Sequence, residues 1–122
     1  MSNDLRHRLG SIGEQLAAEH LVRRGYVILA RNHRTRWGEI DIVACNAERI
    51  LFCEVKTRRL GPFGPLDGLR DSQTRRLRKM ASAWLQEPND RPYIPEVRFD
   101  AIGITIDARG QLVALEHLEN AF

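Results

Sequence analysis

The chain has 122 residues, of which 43% are hydrophobic and 29% are charged. This length and balance predict one globular domain over residues 1–122 and exclude a largely disordered chain. The apolar runs are far shorter than the roughly 20 residues of a membrane span, and the charged N-terminal residues lack the apolar core of a secretory signal. Two cysteines without metal or redox spacing favour a reducing compartment. We therefore expect a cytoplasmic protein that does not contact membranes.

Basic residues outnumber acidic ones by 19 to 16, which gives a formal net charge of +3 and an isoelectric point of about 9.3. All but two of the basic residues are arginines. Because a guanidinium group binds phosphate through two parallel hydrogen bonds, this bias favours a partner with a phosphate backbone. The codon composition of a GC-rich genome produces the same bias, so composition alone leaves both interpretations open.

The spacing of apolar residues and the positions of glycine and proline predict seven elements in the order α-β-β-β-α-β-β. This order is typical of an α/β domain with a mixed sheet covered by helices. In chain order the predicted segments are a helix at Leu9–Arg24 ending at Gly25, strands at Tyr26–Ala30, Ile40–Cys45 and Ile50–Thr57, an irregular segment at Arg58–Gly68, a helix at Ser72–Gln86, a loop at Glu87–Pro95, and strands at Val97–Ile106 and Gln111–Leu118.

Two of the apolar strands contain acidic residues where core residues are expected. Asp41 interrupts one strand, and Glu54 and Lys56 lie two residues apart in the next, hence on one face. If the hairpin closes symmetrically about residues 47 and 48, Asp41 lies opposite Glu54, and Glu39 lies opposite Lys56. A two-residue and a four-residue turn centred there give the same register.

Directly opposed side chains on one sheet face have Cβ atoms about 5 Å apart, and like charges at such positions are destabilising. One of the two carboxylates would lose its charge through a raised pKa unless a cation lay between them. Mg²⁺ or Mn²⁺ fits, because hard divalent ions take oxygen ligands and often one or two carboxylates. Asp41, Glu54 and the Val55 carbonyl are candidate ligands, and Lys56 can neutralise phosphate charge. The alternative is a salt-bridged strand end with an ordinary Glu39–Lys56 pair.

A third acid, Glu14, lies on the first predicted helix at offsets of three, four and seven from Ala17, Ala18 and Leu21. Small alanines let a helix approach a sheet closely, which would bring the Glu14 carboxylate over the sheet. The pattern fits an exposed glutamate at the boundary of the helix face equally well.

Arginines cluster in three further places and are candidate phosphate contacts, the alternative being solvated surfaces. These residues are Arg75, Arg76 and Arg78 on the second helix, Arg58 after the third strand, and Arg31, Arg34 and Arg36 in a predicted polar loop. Trp37 follows that loop, either to stack on unpaired bases or to cover the core. Asp100, in an apolar strand, favours an ion pair with an arginine. The four histidines lack ligand spacing, so zinc is not expected.

Several short motifs, in their order and spacing, resemble the bacterial YraN-like family over about Leu9 to Ile106. They are Gly13-Glu14, Gly25-Tyr26, Arg31-Asn32, Gly38-Glu39-Ile40-Asp41, Phe52–Arg58 and Arg98-Phe99-Asp100. That family is similar to the restriction-endonuclease-like PD-(D/E)XK superfamily, near the archaeal Holliday-junction resolvases. The resemblance implies a restriction-endonuclease-like core with a mixed sheet flanked by helices. It further implies Asp41 and Glu54 as metal ligands, Lys56 as the catalytic lysine and Glu14 as the helix acid.

One position departs from the pattern of that family. Its members commonly carry a lysine at the start of the second helix, where this chain has Gln73. Gln73 shares a helical face with Leu77, Met80 and Trp84 and is expected to face the sheet. A glutamine there can donate a hydrogen bond to a phosphate, but it supplies no charge.

Three functions therefore remain open from the sequence. The first is a Mg²⁺- or Mn²⁺-dependent endonuclease that hydrolyses phosphodiester bonds, with branched or single-stranded DNA as candidate substrates in repair or recombination. The second is a nucleic-acid-binding module with weak or no catalysis, and the third is an interaction protein that recruits a repair or replication factor. The structure of the DNA is not fixed by the sequence. Cutting both strands symmetrically would favour a homodimer.

Overall fold

The computed structural model describes residues 3–69, 71–88, 93 and 96–122, and side chains are described from residue 8 onward, except those of residues 71 and 72. The described elements confirm the predicted order. They are α1 (Asn3–Arg23), β1 (Val27–Thr35), β2 (Gly38–Cys45), β3 (Arg49–Arg59), α2 (Asp71–Gln86), β4 (Glu96–Ile106) and β5 (Leu112–Leu118). Most of the predicted loop Glu87–Pro95 lies outside the described residues.

The five strands form one mixed sheet in the order β1-β2-β3-β4-β5. Neighbouring strands are antiparallel except β3 and β4, which are parallel. Parallel neighbours need a crossover connection, and α2 supplies it. The helices cover opposite faces of the sheet. The α1 face is closed by apolar side chains that include Ala17, Leu21, Ile42, Leu51, Val55 and Ile104, and the α2 face by a second set that includes Ile40, Val43, Phe52, Leu77, Met80 and Trp84.

The first helix begins earlier than predicted, at Asn3 rather than Leu9, because its first turns carry no apolar stripe by which periodicity reveals a helix. Its predicted stop at Gly25 is confirmed. Gly25 has a φ of 91°, its N–H donates to the Val22 carbonyl, and the Tyr26 N–H donates to the Leu21 carbonyl, both at 3.0 Å. These two bonds form a Schellman motif, whose left-handed position glycine adopts without strain.

The first strand is longer than predicted, which corrects the assignment of residues 31–35 to a polar loop. Val27–Thr35 pairs with β2 as far as Thr35 opposite Gly38. The polar run escaped prediction because β1 is an edge strand, where charged side chains are common and alternating hydrophobicity is weak. Only Arg36 and Trp37 remain in the turn.

The hairpin of β2 and β3 has the register predicted from its turn. Asn46 closes the turn by accepting hydrogen bonds from the N–H groups of Glu48 and Arg49 at 2.8 and 2.9 Å. Cys45 then pairs with Ile50 in the first rung of the ladder, as expected. Both acids of interest lie at the far end of this hairpin.

Two glycines allow other segments to lie directly on the strands. A methyl group at Gly13 of α1 would overlap the Thr57 hydroxyl of β3, and one at Gly103 of β4 would lie 2.7 Å from Pro65 and 2.8 Å from Leu66. Side chains at these positions would push the segments apart. The α1 helix and the loop after β3 thus both approach the C-terminal end of β3. Neither α1 nor α2, over their described residues, has the length and apolar character that a bilayer crossing requires.

Candidate active site

The β2–β3 ladder stops one residue before the two acids. Its described pairs run from Cys45 opposite Ile50 to Ile42 opposite Cys53, and Asp41 and Glu54 come next. Instead of pairing through its backbone, Asp41 accepts a hydrogen bond from the Val55 N–H through Oδ2 at 2.8 Å. A side chain therefore replaces the next main-chain rung, and the Asp41 carboxylate lies between the two strands.

The backbone of β2 is irregular at Asp41. Strict alternation would place Ile40 on the same face as Ile42, but Ile40 packs in the α2-face core and Ile42 in the α1-face core. The pairing of β2 with β1 omits Asp41 and the facing Asn32, although the residues on either side of them are paired. Asn32 has a left-handed φ of 51°. This local irregularity turns the Asp41 side chain toward β3.

The prediction that Glu54 and Lys56 share a face is confirmed by an ion pair between them, with Lys56 Nζ 3.2 Å from Glu54 Oε1. The Glu54 side chain is 12% exposed and that of Lys56 is 35% exposed. The alternative cross-strand pair of Glu39 with Lys56 is wrong, because Glu39 instead binds Arg34 of the neighbouring strand at 3.2 Å.

Glu14 lies at the same end of the sheet, on α1. The Asn32 amide, in the orientation that satisfies both groups, donates to the two Glu14 oxygens at 3.1 and 2.9 Å. No role for Asn32 follows from the sequence pattern, although the residue belongs to the Arg31-Asn32 motif. A left-handed asparagine in an edge strand is the feature that holds the helix acid in place.

The three acids influence one another. Burial and the negative charge of Glu54 raise the pKa of Asp41 to about 8, and the Val55 hydrogen bond and Lys56 oppose this shift. Burial also raises the pKa of Glu14, which the positive charge of Arg31 partly offsets, and Glu54 adds to the increase. The fold thus makes it unfavourable for Asp41 and Glu14 to ionise in the metal-free protein.

The donors suit a hard divalent ion. Among the described residues, no group of three His, Cys, Asp or Glu side chains is arranged to hold a metal ion, so Glu14 does not complete a three-carboxylate site with Asp41 and Glu54. Two carboxylates are the usual protein contribution to Mg²⁺, which keeps several water ligands. The Val55 carbonyl faces the same side of β3 as the Val55 N–H, so its oxygen is available to the same ion as the two carboxylates.

Two clefts meet at the C-terminal end of β3. The cleft on the α1 side has a volume of about 510 Å³ and is lined by Leu9, Gly10, Glu14, Val55 and residues 56–59. The cleft on the α2 side has a volume of about 550 Å³ and is lined by Lys56, Thr57, Arg58, Pro65, Gly68, Gln73 and Arg76. Lys56 and Arg58 belong to both clefts and lie where the two clefts join.

The basic residues of α2 do not form one face. Arg76 lines the α2-side cleft together with Gln73, which faces the sheet as predicted. Arg78 lies elsewhere, because its guanidinium group packs 4.6 Å from the centre of the Phe99 ring and donates to the Phe122 carbonyl at 2.9 Å. Arg75 is exposed and lines neither of the two clefts among the described residues.

The arginines near the first turn also have separate environments. Arg31 donates to Gln15 Oε1 at 2.7 Å, beside Glu14, whereas Arg34 is paired with Glu39. The Arg36 guanidinium lies 4.4 Å from the centre of the Trp37 ring. Trp37 is half-buried against the α2-face core, which agrees with a residue that covers the core.

A second polar cluster, of which only the Asp100 ion pair is predictable from the sequence, lies under α1. Asp100 is fully buried and receives two hydrogen bonds from Arg98, both at 2.9 Å, which confirms the predicted ion pair. His117 contacts Asp100 at 2.7 Å and His20 at 3.0 Å. Burial alone would raise the pKa of Asp100, but these partners lower it. The two histidines are 97 residues apart, so no local spacing could reveal them.

Comparison with known proteins places these residues in a family. The family described as "Uncharacterised protein family UPF0102" matches residues 13–104, a segment that contains both acids of the hairpin, Lys56, Glu14 and Gln73. A UPF0102 protein of Geobacter metallireducens is 45% identical over 115 residues, which cover 93% of this chain and 91% of that protein. A UPF0102 protein of Parafrankia sp. is 43% identical, and the match covers 94% of this chain and 96% of that protein. A UPF0102 protein of Dictyoglomus turgidum is 36% identical, and the match covers 93% of this chain and 96% of that protein.

Proposed function

The chain belongs to the UPF0102 family, and we propose that it is a divalent-metal-dependent endonuclease that hydrolyses phosphodiester bonds in DNA. One observation carries the proposal. Asp41 leaves the strand ladder to lie buried beside Glu54, and Lys56 lies next to them at the junction of two clefts. The resemblance of the chain to restriction-endonuclease-like proteins supports the same conclusion.

We place the protein in the cytoplasm. Its two cysteines are buried free thiols, which suit a reducing compartment.

Asp41 and Glu54 would hold Mg²⁺ or Mn²⁺, with the Val55 carbonyl as a further ligand. Two neighbouring carboxylates repel each other, and their charges are costly to bury in an apolar sheet unless a cation compensates them. The Val55 N–H orients the Asp41 carboxylate by donating a hydrogen bond to Oδ2 in the gap between the strands. An ion held by these residues would supply Lewis acidity toward a phosphoryl oxygen.

Lys56 stabilises the charge that develops on the phosphate. Its ammonium group is held by Glu54 at 3.2 Å and remains 35% exposed, and the residue lines both clefts, so the ammonium group is open to a ligand at this end of the sheet. Negative charge grows on the phosphoryl oxygens as the bond to the leaving oxygen breaks, and a fixed cation contributes most at that stage. Glu14, whose pKa is raised by burial, is placed to exchange a proton with water in the α1-side cleft.

The α2-side cleft would bind the DNA backbone. Arg58 and Arg76 supply positive charge there, and Gln73 supplies amide hydrogen bonds in place of a further cation. Arginine suits this role because its planar group donates two hydrogen bonds to one phosphate. Arg34 and Arg78 are left out of this surface, since each is committed to another partner.

The test is a Mn²⁺-dependent cleavage assay on linear duplex, single-stranded, flapped and four-way DNA. Wild-type protein should cut at least one of these, and Lys56→Ala should cut it at least about 100-fold more slowly while binding it within a few-fold of wild type. Lys79→Ala is the matched control, because the other lysine of the chain is exposed on α2 outside both clefts. A thermal melt must show that both variants are folded.

Two outcomes would contradict the proposal. If folded Lys56→Ala cuts as fast as wild type, Lys56 has no catalytic role and the cutting arises from another site. If wild-type protein binds DNA but cuts none of the four substrates with Mn²⁺ or Mg²⁺, the chain is a nucleic-acid-binding module. The absence of a charge at Gln73 is the feature that would favour this second function.

A further inference from the structure

An exposed aromatic side chain projects from the loop that follows β3. Phe63 is 66% exposed, although a phenylalanine in a folded protein is normally covered. It lies within the sequence Leu60-Gly61-Pro62-Phe63-Gly64-Pro65, and Leu60 is 68% exposed. Two neighbouring exposed apolar side chains on one short loop are candidates for contact with a ligand.

The loop that carries Phe63 is held in place on both sides of the ring. Before it, the Leu60 N–H donates to the Ile106 carbonyl at 2.9 Å. After it, the Gly64 N–H donates to Asp67 Oδ2 at 2.7 Å. Pro65 and Leu66 then lie directly over Gly103 of β4, where a Cβ atom would collide with them. Because the loop is already ordered, little further conformational entropy is lost when Phe63 contacts a ligand.

The anchor points place the backbone of Phe63 close to the wall of the α2-side cleft. Gly103, on which Pro65 rests, is paired with Lys56 in the sheet. Pro65 is itself part of the cleft wall with Arg58 and Arg76. Phe63 is two residues from Pro65, so their Cα atoms are at most about 7 Å apart. The aromatic ring and the cations of the cleft are therefore within reach of one short stretch of nucleic acid.

A charged groove combined with an exposed aromatic side chain is the arrangement that binds single strands, since the groove follows the phosphates and the ring stacks on a base. We propose that Phe63 stacks on an unpaired base beside the phosphate in the α2-side cleft, and that this contact makes DNA with unpaired nucleotides the preferred substrate. Within a duplex both faces of each base are already stacked, so the ring gains nothing comparable. That such DNA is cut rests on the function proposed above, whereas the stacking contact itself does not depend on cleavage.

The test measures binding without cleavage. Fluorescence anisotropy with a single-stranded oligothymidylate, and with a duplex of equal length, is recorded in EDTA so that no hydrolysis occurs. Phe63→Ala should weaken single-strand binding by about tenfold and duplex binding by less than about twofold. Phe63→Leu, which keeps an apolar side chain without an aromatic face, should also lose most of the single-strand affinity. Phe63→Trp should retain it, with additional tryptophan fluorescence that the oligothymidylate quenches.

Tyr93→Ala provides the matched control. Tyr93 is also an exposed aromatic, at 87%, but it lies three residues before β4, which starts beside Arg49 at the opposite end of β3. This variant should bind both DNAs as wild type does. Unchanged single-strand affinity in Phe63→Ala, or an equal loss for single strand and duplex, would overturn the stacking proposal. Normal stacking by a protein that never cuts DNA would instead overturn only the nuclease proposal.

Discussion

The protonation of Asp41 links the stability of the metal-free protein to pH. The ordinary pKa of this carboxyl is 3.8, and burial beside Glu54 raises it to about 8 in the folded protein. The folded state therefore holds the proton more tightly than the unfolded chain does. The contribution of Asp41 to the free energy of unfolding is therefore largest below pH 4, and it is lost as the pH rises through 8.

Asp41→Asn should accordingly stabilise the metal-free protein at high pH. At pH 8.5 in EDTA we expect the free energy of unfolding to increase by about 1–3 kcal/mol, a fraction of the full linkage value because solvent partly screens the site. The difference should vanish near pH 4. Urea denaturation at both pH values measures it, with Glu48→Gln as the control at the other end of the same hairpin, where the side chain is 72% exposed. A variant that is less stable than wild type at pH 8.5 would show that Asp41 is not strained by its surroundings.

Not every buried acid of the protein is strained in this way. Asp100 is fully buried, yet Arg98, His117 and the Asn120 N–H satisfy its oxygens and lower its pKa. Asp41 receives one described hydrogen bond and faces another carboxylate. This contrast between a compensated and an uncompensated carboxyl is the reason why we propose the hairpin end, and not the Asp100 cluster, as the functional site.

At the scale of secondary structure, the position of α1 determines where Glu14 lies. Gly13 is buried and has no room for a side chain, because Thr57 of β3 occupies that space. The contact lets the helix lie against the C-terminal end of β3, with Glu14 directed to the cleft there. The Gly13-Glu14 motif thus combines a close helix–strand contact with the acid that the contact positions.

Gly13→Ala should therefore destabilise the protein, although alanine favours helices. Replacing an interior helical glycine gains about 0.5–1 kcal/mol, whereas forcing a methyl group into Thr57 costs about 1–3 kcal/mol, so a net loss is expected in urea denaturation. Thr57→Ala removes the overlapping hydroxyl and methyl groups, and the double variant should recover part of the loss. If Gly13→Ala proves more stable than wild type, the helix does not contact β3 as closely as described.

For the molecule as a whole, local sequence patterns predicted the element order and the register of the hairpin. Apolar runs marked the buried strands, and the Asn46 turn determined which residues of β2 and β3 are paired. The polar second half of β1 was missed because an edge strand needs no apolar alternation. Arg78 was grouped with Arg76 by sequence, but contacts with Phe99 and Phe122 separate them. Such contacts join segments distant in the chain, which no local pattern encodes.

The same distinction applies to the candidate site. Glu54 and Lys56 follow from strand periodicity, and Asp41 follows from the hairpin register, so a sequence can bring these three together. Two features of the site depend on backbone irregularities. One is the Asp41 carboxylate, which replaces a backbone rung of the ladder, and the other is the hydrogen bonding of Asn32 to Glu14. Phe63 gave no pattern at all, because only the folded loop shows that its ring stays exposed beside the cleft.

The central claim, that Asp41 and Glu54 together hold a divalent ion, is tested most directly by calorimetric titration of Mn²⁺ into wild type, Asp41→Asn and Glu48→Gln. Wild type and Glu48→Gln should bind Mn²⁺ with equal affinity and release protons on binding, since the raised pKa of Asp41 keeps most of this carboxyl protonated at pH 7 in the metal-free protein. Asp41→Asn should bind at least about tenfold more weakly, because it leaves a single carboxylate for the ion. Equal binding by all three proteins would contradict the claim.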